Sequence, residues 1–350
     1  MKKSFSYQSD FPSKGLISIT SPSNIALVKY WGKMEDQIPC NPSISFTLQK
    51  SVTEMSLQWV IKEYPGPLRF FLDDFENKKF AERIEKYFIK IKDLLPFLTN
   101  MEIVIRAKNS FPHSVGIASS ASSFSALGII LSKLNHLVNP YDSVEKLLSH
   151  ASNLSRLGSG SACRSVFGGF NIWGMDDISL SKASRIENVH KVFHDLQDAI
   201  LIVDSTPKKV SSSEGHRLMQ NHIYATKRFE QANANARLML DVLKSGDLIK
   251  FGEIVEEEAL SLHGLMMTSR PNYILLRPNT LRILELIRNC RSNNKLPIYF
   301  TMDAGPNIHL LYPKSVKKEV VEFIDNNLVK YCERNRWIDD CVGEGPQVLL

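Results

Sequence analysis

The chain has 350 residues, 43 of them Lys or Arg against 37 Asp or Glu, which gives a formal charge of +6. That length suits one large domain or two ordinary ones, and 43% hydrophobic with 23% charged residues excludes a disordered, collagen-like or coiled-coil chain. No apolar run approaches the roughly 18–20 residues of a membrane helix, and basic residues are interleaved with acids rather than gathered into a nucleic-acid-binding stripe. Neither a membrane nor a nucleic acid is therefore expected as a partner, and a modest positive surplus suits small anionic substrates.

The opening MKKSFSYQSDFPSKG has no apolar stretch after its lysines, so a secretory signal is not expected. Strands are predicted at Leu16–Thr20, Ser43–Leu48, Thr53–Val60 and Glu102–Ala107, the last alternating like a half-buried strand. Helices are predicted at Ser119–Leu134 and Ser143–Leu157, the second capped by Asp142 and stopped by Gly158. From Ala199 the texture changes. A buried strand, AILIVD, leads through the polar TPKKVSSSEG into predicted helices at His216–Leu243, Leu248–Leu265, Asn279–Arg291 and Val316–Leu328. A short strand, Ile298–Met302, and a Gly-Pro turn lie between the last two. The pattern lacks strict βαβ alternation and reads as α+β layers, with domains over 1–195 and 196–350. Cys40, Cys163, Cys290, Cys332 and Cys341 are scattered and form no CxxC pair, so neither a disulfide framework nor a zinc site is expected, and a reducing cytoplasm is.

Four segments carry chemistry. In FPHSVGIASSASSFS, Phe111–Ser125, a strand runs through a Pro/Gly loop with five serines into a helix. A helix start offers unpaired N–H groups and partial positive charge, the elements of a polyphosphate cradle; the same serines would also serve as ordinary caps. The loop is neither a Walker loop nor a dinucleotide GxGxxG. SPSNIALVKYWGK, Ser21–Lys33, places Asn24, Lys29, Tyr30 and Lys33 among apolar residues, with Trp31-Gly32 between the lysines. RLGSGSACRSVFGG, Arg156–Gly169, alternates small residues before Arg164, which frees amides for an anion that a guanidinium can grip. In YFTMDAGPN, Tyr299–Asn307, Asp303 stands where a strand enters a turn.

The Pro-x-x-x-Gly-Ile-x-Ser-Ser-Ala loop resembles the phosphate loop of the GHMP kinase superfamily. In this order and spacing the four segments resemble the diphosphomevalonate decarboxylase family, a branch of that superfamily; KKVSSSEG and EEEALSLHGLMMTS extend the resemblance over most of the chain. It implies a two-domain GHMP kinase-like α+β fold, with an N-terminal domain like ribosomal protein S5 domain 2, a ferredoxin-like C-terminal domain, and an active-site cleft between them. It implies ATP and Mg2+ as cofactors, a cytoplasmic homodimer, and ATP-dependent decarboxylation of mevalonate 5-diphosphate to isopentenyl diphosphate with release of ADP, phosphate and CO2. By motif, Asp303 is the expected catalytic carboxylate. Lys29 would lie beside it, lowering its pKa, and Arg164 would grip the substrate carboxylate. Asn24, Tyr30, Trp31, Gly32, Lys33, Arg69, Ser159, Gly160, Ser161, Ser212 and Ser213 are the expected substrate residues. Pro112, Gly116, Ser119, Ser120 and Ser122 are expected around ATP, with Mg2+ bridged by its phosphates and Ser120 a candidate ligand. A decarboxylase of mevalonate 5-phosphate, a GHMP kinase that does not decarboxylate, and a catalytically dead binding relative are the alternatives.

Overall fold

The computed structural model describes residues 11–64, 66–112, 117–176, 180–206 and 210–349. The first half is built on two long strands, β1 (Lys14–Val28) and β2 (Ser43–Ile61). They pair antiparallel in a register that shifts between Pro22 and Asn24 and again between Ala26 and Val28. The two strand runs read separately at Ser43–Leu48 and Thr53–Val60 are thus one bulged strand. The sheet continues through β3 (Leu68–Leu72), β4 (Phe75–Glu76) and β5 (Met101–Asn109), β3 running parallel to β5.

Helices α1 (Lys78–Ile91), α2 (Ser119–Val138) and α3 (Val144–Gly158) cover one face. Ala81, Ile84, Tyr87 and Ile91 form the buried stripe of α1, and the Asn77 side chain caps it by accepting from Phe80 N–H. At α3 the cap is Ser143 rather than Asp142. The Ser143 hydroxyl can bend back to the Lys146 N–H, whereas the Asp142 carboxylate takes the Lys146 ammonium. Gly158 is the last helical residue and Ser159 the C-cap. Short strands β6 (Phe170–Trp173) and β7 (Ser184–Arg185) extend the sheet beside β2.

The second half holds β8 (Gln197–Leu201), α4 (Ser212–Leu218), α5 (Ala225–Ser245), α6 (Leu248–Thr268), α7 (Pro278–Asn294), β9 (Tyr299–Thr301), β10 (Ile308–Tyr312), α8 (Lys317–Phe323) and β11 (Trp337–Cys341). Its antiparallel sheet has the order β11-β8-β10-β9, the split β-α-β arrangement of a ferredoxin-like layer. The single helix expected over His216–Leu243 is two. His222 turns inward between them, its Nε2 on the Leu265 carbonyl and its Nδ1 accepting from Tyr224 N–H, which diverts a backbone donor from helical pairing. The helix expected over Val316–Leu328 is α8 followed by a π turn at Ile324–Leu328.

A last strand, β12 (Gln347–Leu349), returns to the first sheet and pairs with β1. Packing also crosses between the halves. One apolar cluster joins Ile25, Leu27 and Phe46 of β1 and β2 to Ile200, Met239, Phe251 and Ile254 of the second half. The distal end of β1, Ser21–Val28, is therefore buried at every position, while its first residues alternate. A strand covered on both faces is normally apolar throughout; Ser21, Ser23 and Asn24 break that rule here. No helix among the described residues is long and apolar enough to cross a membrane.

Candidate active site

Lys29 follows directly on β1 and is buried, at 1% exposure. An ammonium in such surroundings needs partners, and Lys29 Nζ has two: the Ala26 carbonyl at 2.6 Å and Asp303 Oδ1 at 3.0 Å. Burial pulls its pKa below the usual lysine value, while Asp303 and then Glu258 oppose that shift. The main chain of Lys29 is gripped as well. Its N–H donates to Glu258 Oε2 at 2.8 Å, and its carbonyl accepts from Asn41 Nδ2 at 2.9 Å. Glu258, on α6 and fully buried, is also held by Arg228 of α5 and by Asn235 Nδ2 at 2.8 Å. Asp303 stands beyond β9, its backbone carbonyl 3.2 Å from His263 Nε2 and its side chain partly open. The pair Lys29–Asp303 thus joins the two halves at the floor of a cleft of about 530 Å³.

Arg164 approaches from the turn after α3, a short 3-10 segment over Gly160–Ser165. Its Nε donates to Ser45 Oγ at 3.0 Å, Nη1 to Ser43 Oγ at 2.5 Å and Nη2 to Asn24 Oδ1 at 3.3 Å. A guanidinium has five N–H groups, so these three bonds fix its plane, and among the described residues two N–H remain without a protein acceptor beside the cleft it lines. Asn24 completes the brace by donating to Ser165 Oγ at 2.7 Å and to the Ser161 carbonyl at 3.2 Å. Asn24 thus lies in the cleft wall and orients the Arg164 turn. Ser159, Gly160 and Ser161 line the cleft beside it. A Cβ on Gly160 would lie 2.6 Å from the Tyr30 hydroxyl, so the close approach of this turn to Tyr30 requires glycine there.

The start of α2 opens on the same cleft, with Ser119 and Ser120 in its wall. Ala118 precedes it in the left-handed region, and among the described residues no side chain caps the helix, which leaves its first N–H groups for an anion. Ser120 Oγ lies 3.3 Å from Ser159 Oγ, bringing two of the motifs together. Ser122 is elsewhere. Three residues past Ser119, its hydroxyl points beneath the helix to Thr53 Oγ1 at 2.6 Å, fully buried and away from the cleft. Pro112 is exposed and outside the cleft lining, and Gly116 lies outside the described residues. Among the described residues no cluster of three His, Cys, Asp or Glu could cage a metal. Hydroxyls beside an uncapped helix start suit a Mg2+ carried on phosphates instead, since that ion keeps waters and takes few protein ligands.

The cleft is also cationic. Tyr30, Trp31 and Lys33 line it, together with Ser212 and Ser213 of α4. Gly32 joins Trp31 to Lys33 at a φ of +98°, a conformation that glycine adopts without penalty. Burial, followed by the charges of Arg83 and Lys90, lowers the Lys33 pKa. Arg69 is not brought to the site. Strand alternation sends Phe70 into the core and Arg69 outward, where Nε meets Glu76 Oε1 at 3.1 Å. Arg83 of α1, braced over the Phe124 ring at 4.7 Å, stands in the lining instead. Its sequence signal is the helical spacing of Lys79, Arg83, Lys86 and Lys90, a basic stripe on a helix that strand-centred reading of this region passes over. His216 also lines the cleft without having been singled out.

Two α+β halves, the second with a ferredoxin-like layer, meeting at a cleft with an uncapped helix start on one side and a Lys–Asp pair on its floor, make up the GHMP kinase fold. Residues 21–185 match the family described as diphosphomevalonate decarboxylase-like N-terminal domain, and residues 199–348 match the mevalonate 5-diphosphate decarboxylase C-terminal domain. The chain is 30% identical over 331 residues to a diphosphomevalonate decarboxylase of Debaryomyces hansenii, covering 88% of this chain and 82% of that one. To that of Candida albicans it is 29% identical, covering 88% and 87%. Among solved structures it resembles mevalonate diphosphate decarboxylase from Staphylococcus aureus, with a TM-score of 0.83 at 28% identity over 96% of this chain and 98% of that one. A second similar structure, solved in complex with MVAPP, AMPPCP and magnesium, has a TM-score of 0.83 at 26% identity over 96% and 99%. The chain belongs to the diphosphomevalonate decarboxylase family.

Proposed function

We propose that the protein converts mevalonate 5-diphosphate and ATP to isopentenyl diphosphate, ADP, phosphate and CO2. The observation that carries this reading is the meeting, in one cleft, of the Lys29–Asp303 pair, an Arg164 guanidinium with two N–H lacking a protein acceptor among the described residues, and the uncapped start of α2. A tertiary hydroxyl leaves poorly as hydroxide, so the chemistry calls for its phosphorylation before the carboxylate departs.

In this reading the ATP phosphates lie on the amides of Ser119 and Ser120, with Ser159 alongside. Magnesium, when bound to those phosphates, neutralises charge that would otherwise resist transfer, and Ser120 is the hydroxyl placed to contact it. Asp303 accepts the proton of the 3-hydroxyl as its oxygen bonds to the γ-phosphorus and the bond to ADP breaks. Lys29 holds Asp303 in place and offsets the developing negative charge. Arg164 grips the carboxylate bidentately. The electron pair of the bond to the carboxylate then forms the new carbon–carbon double bond, releasing CO2, while the 3-phosphate leaves with the pair of its own C–O bond. Lys33, Arg83 and Tyr30, together with Ser212 and Ser213, take the diphosphate.

The remaining expectations fit the same proposal. The chain divides near residue 195 into the two functional halves. A cytoplasmic location suits five cysteines, none of them in a disulfide. A homodimer is the assembly that sedimentation would test. Lys33 and Arg83 in the lining favour a diphosphate over a monophosphate. Measured side by side, kcat/KM should be at least about 100-fold higher with mevalonate 5-diphosphate than with mevalonate 5-phosphate, which corresponds to about 2.7 kcal/mol. Equal values would overturn the substrate assignment.

A further inference from the structure

His216 sits in the wall of the cleft and takes no part in the motifs above. It is on α4, 7% exposed, and its ring packs 4.3 Å from that of Tyr30 and 4.7 Å from that of Trp31. The Gly32 backbone N–H points at its Nδ1 at 3.0 Å. A backbone N–H can only donate, so Nδ1 must present its lone pair. A neutral imidazole carries one ring proton, which therefore sits on Nε2. The ring is neutral because burial first, then the charges of Lys33 and Arg164, push its pKa down to about 3.

Among the described residues, Gly32 is the hydrogen-bond partner of this ring, and no protein acceptor meets Nε2. Nε2 is not one of the fully buried polar atoms that lack a partner; it is accessible from the cleft that the ring lines, where an acceptor on a bound ligand can reach it. The charges of Lys33 and Arg164 act on this ring, and Arg83 lines the same cleft, a field that selects an anionic oxygen. A neutral donor suits that place, since it adds a hydrogen bond without adding another mutually repelling cation.

We propose that His216 is a substrate-binding residue, held as the Nε2–H tautomer by Gly32, that donates its Nε2 proton to a phosphate oxygen of the substrate's diphosphate. The proposal rests on the reading of this part of the cleft as the seat of that diphosphate. Through Nδ1 the same ring fixes the turn that carries Lys33, so one side chain both contacts the anion and positions a second contact.

The test begins with the unmodified, uniformly 15N-labelled protein. Its imidazole spectrum should show His216 neutral with the proton on Nε2, and saturation with inorganic pyrophosphate should move that N–H signal downfield. A proton found on Nδ1, or an Nε2–H signal unmoved at saturation, overturns the proposal. Kinetics supply a second arm. His216→Phe keeps the ring packing and loses the donor; KM for mevalonate 5-diphosphate should rise roughly tenfold with kcat within about twofold. His216→Gln, which returns an N–H near the Nε2 position, should recover most of that loss. If both variants match the unmodified protein, the contact does not exist. If pyrophosphate shifts the signal but no CO2 is released with ATP, the reaction assigned to the cleft fails while the contact stands.

Discussion

Burying a lysine is unfavourable unless its charge is answered, and at Lys29 the answer is Asp303, with the Ala26 carbonyl beside it. Lys29 would not be expected so deep for stability alone, because apolar groups of similar volume usually serve as well at a buried ion pair. The cost of the pair is explained if both residues act on a bound substrate. Asp303→Asn keeps the size and a polar contact to Lys29 but removes the proton acceptor. It should leave the thermal midpoint within a few degrees and substrate affinity within a few-fold, while kcat for isopentenyl diphosphate formation falls by about 10³. Near-normal turnover in that variant would remove Asp303 from the chemistry.

Lys29 also sets a pH dependence. In the proposed reaction its ammonium is the active form, and burial holds its pKa below the ordinary lysine value of about 10.4. The charge is therefore present at low pH and lost as pH rises through the lowered value. The alkaline fall of kcat/KM should lie at a lower pH than an unperturbed lysine would give. Anionic substrates stabilise the ammonium, so the corresponding fall in kcat should lie at higher pH than that in kcat/KM. Coincident limbs at an ordinary lysine pKa would contradict the buried, charge-coupled geometry.

At the scale of elements, the chemistry depends on how α5 and α6 hold the end of β1. Arg228 and Glu258 form an ion pair with side chains 2% and 0% exposed, and Glu258 accepts the Lys29 N–H. Removing one partner leaves the other charge buried and unpaired. Arg228→Met should cost about 3–5 kcal/mol of stability, whereas Arg228→Met combined with Glu258→Met should cost less than the single change. Denaturant unfolding of both variants measures this, and equal or greater loss in the double variant would show that the pair is not acting as an isolated buried couple. Activity should stay depressed in the double variant, since Lys29 has lost its anchor.

The elements also show what could be read in advance and what could not. The order of Asn24, Lys29, Ser119, Ser120, Arg164 and Asp303 was legible because each sits in a segment whose composition departs from the ordinary: polar residues inside an apolar strand, serines at a helix start, small residues before an arginine. Ser122 misled because a position two residues beyond Ser120 lies about 200° around the helix, on the opposite face, where it bonds to Thr53 under α2. Arg69 misled because one step along β3 does the same. Arg83 was hidden by its distance in sequence from the other cations and by an α1 that was not read as a helix. His216 was hidden inside a segment expected to be a single long helix. The break at His222 is set by tertiary bonds to Leu265, which local pattern does not encode.

For the whole molecule, the two halves are neither independent nor merely tethered. An apolar cluster spans them, the Lys29–Asp303 and Lys29–Glu258 contacts cross between them, and β12 returns from the end of the chain to pair with β1. That continuity places an anion cradle from the first half against a carboxylate from the second, and it recasts the positive surplus of the sequence. Part of it is Lys29, Lys33, Arg83 and Arg164, gathered at one cleft. Such a concentration suits a small molecule bearing a carboxylate and phosphates more than a polymer. The central claim is that phosphoryl transfer and decarboxylation are coupled in this one cleft. It is tested most directly by incubating the protein with ATP, Mg2+ and carboxyl-labelled mevalonate 5-diphosphate and counting ADP, labelled CO2 and isopentenyl diphosphate together. The account predicts the three in equal amounts, with none of the CO2 when ATP is omitted. ADP formed without CO2, with the phosphorylated acid accumulating, would contradict it and identify a kinase.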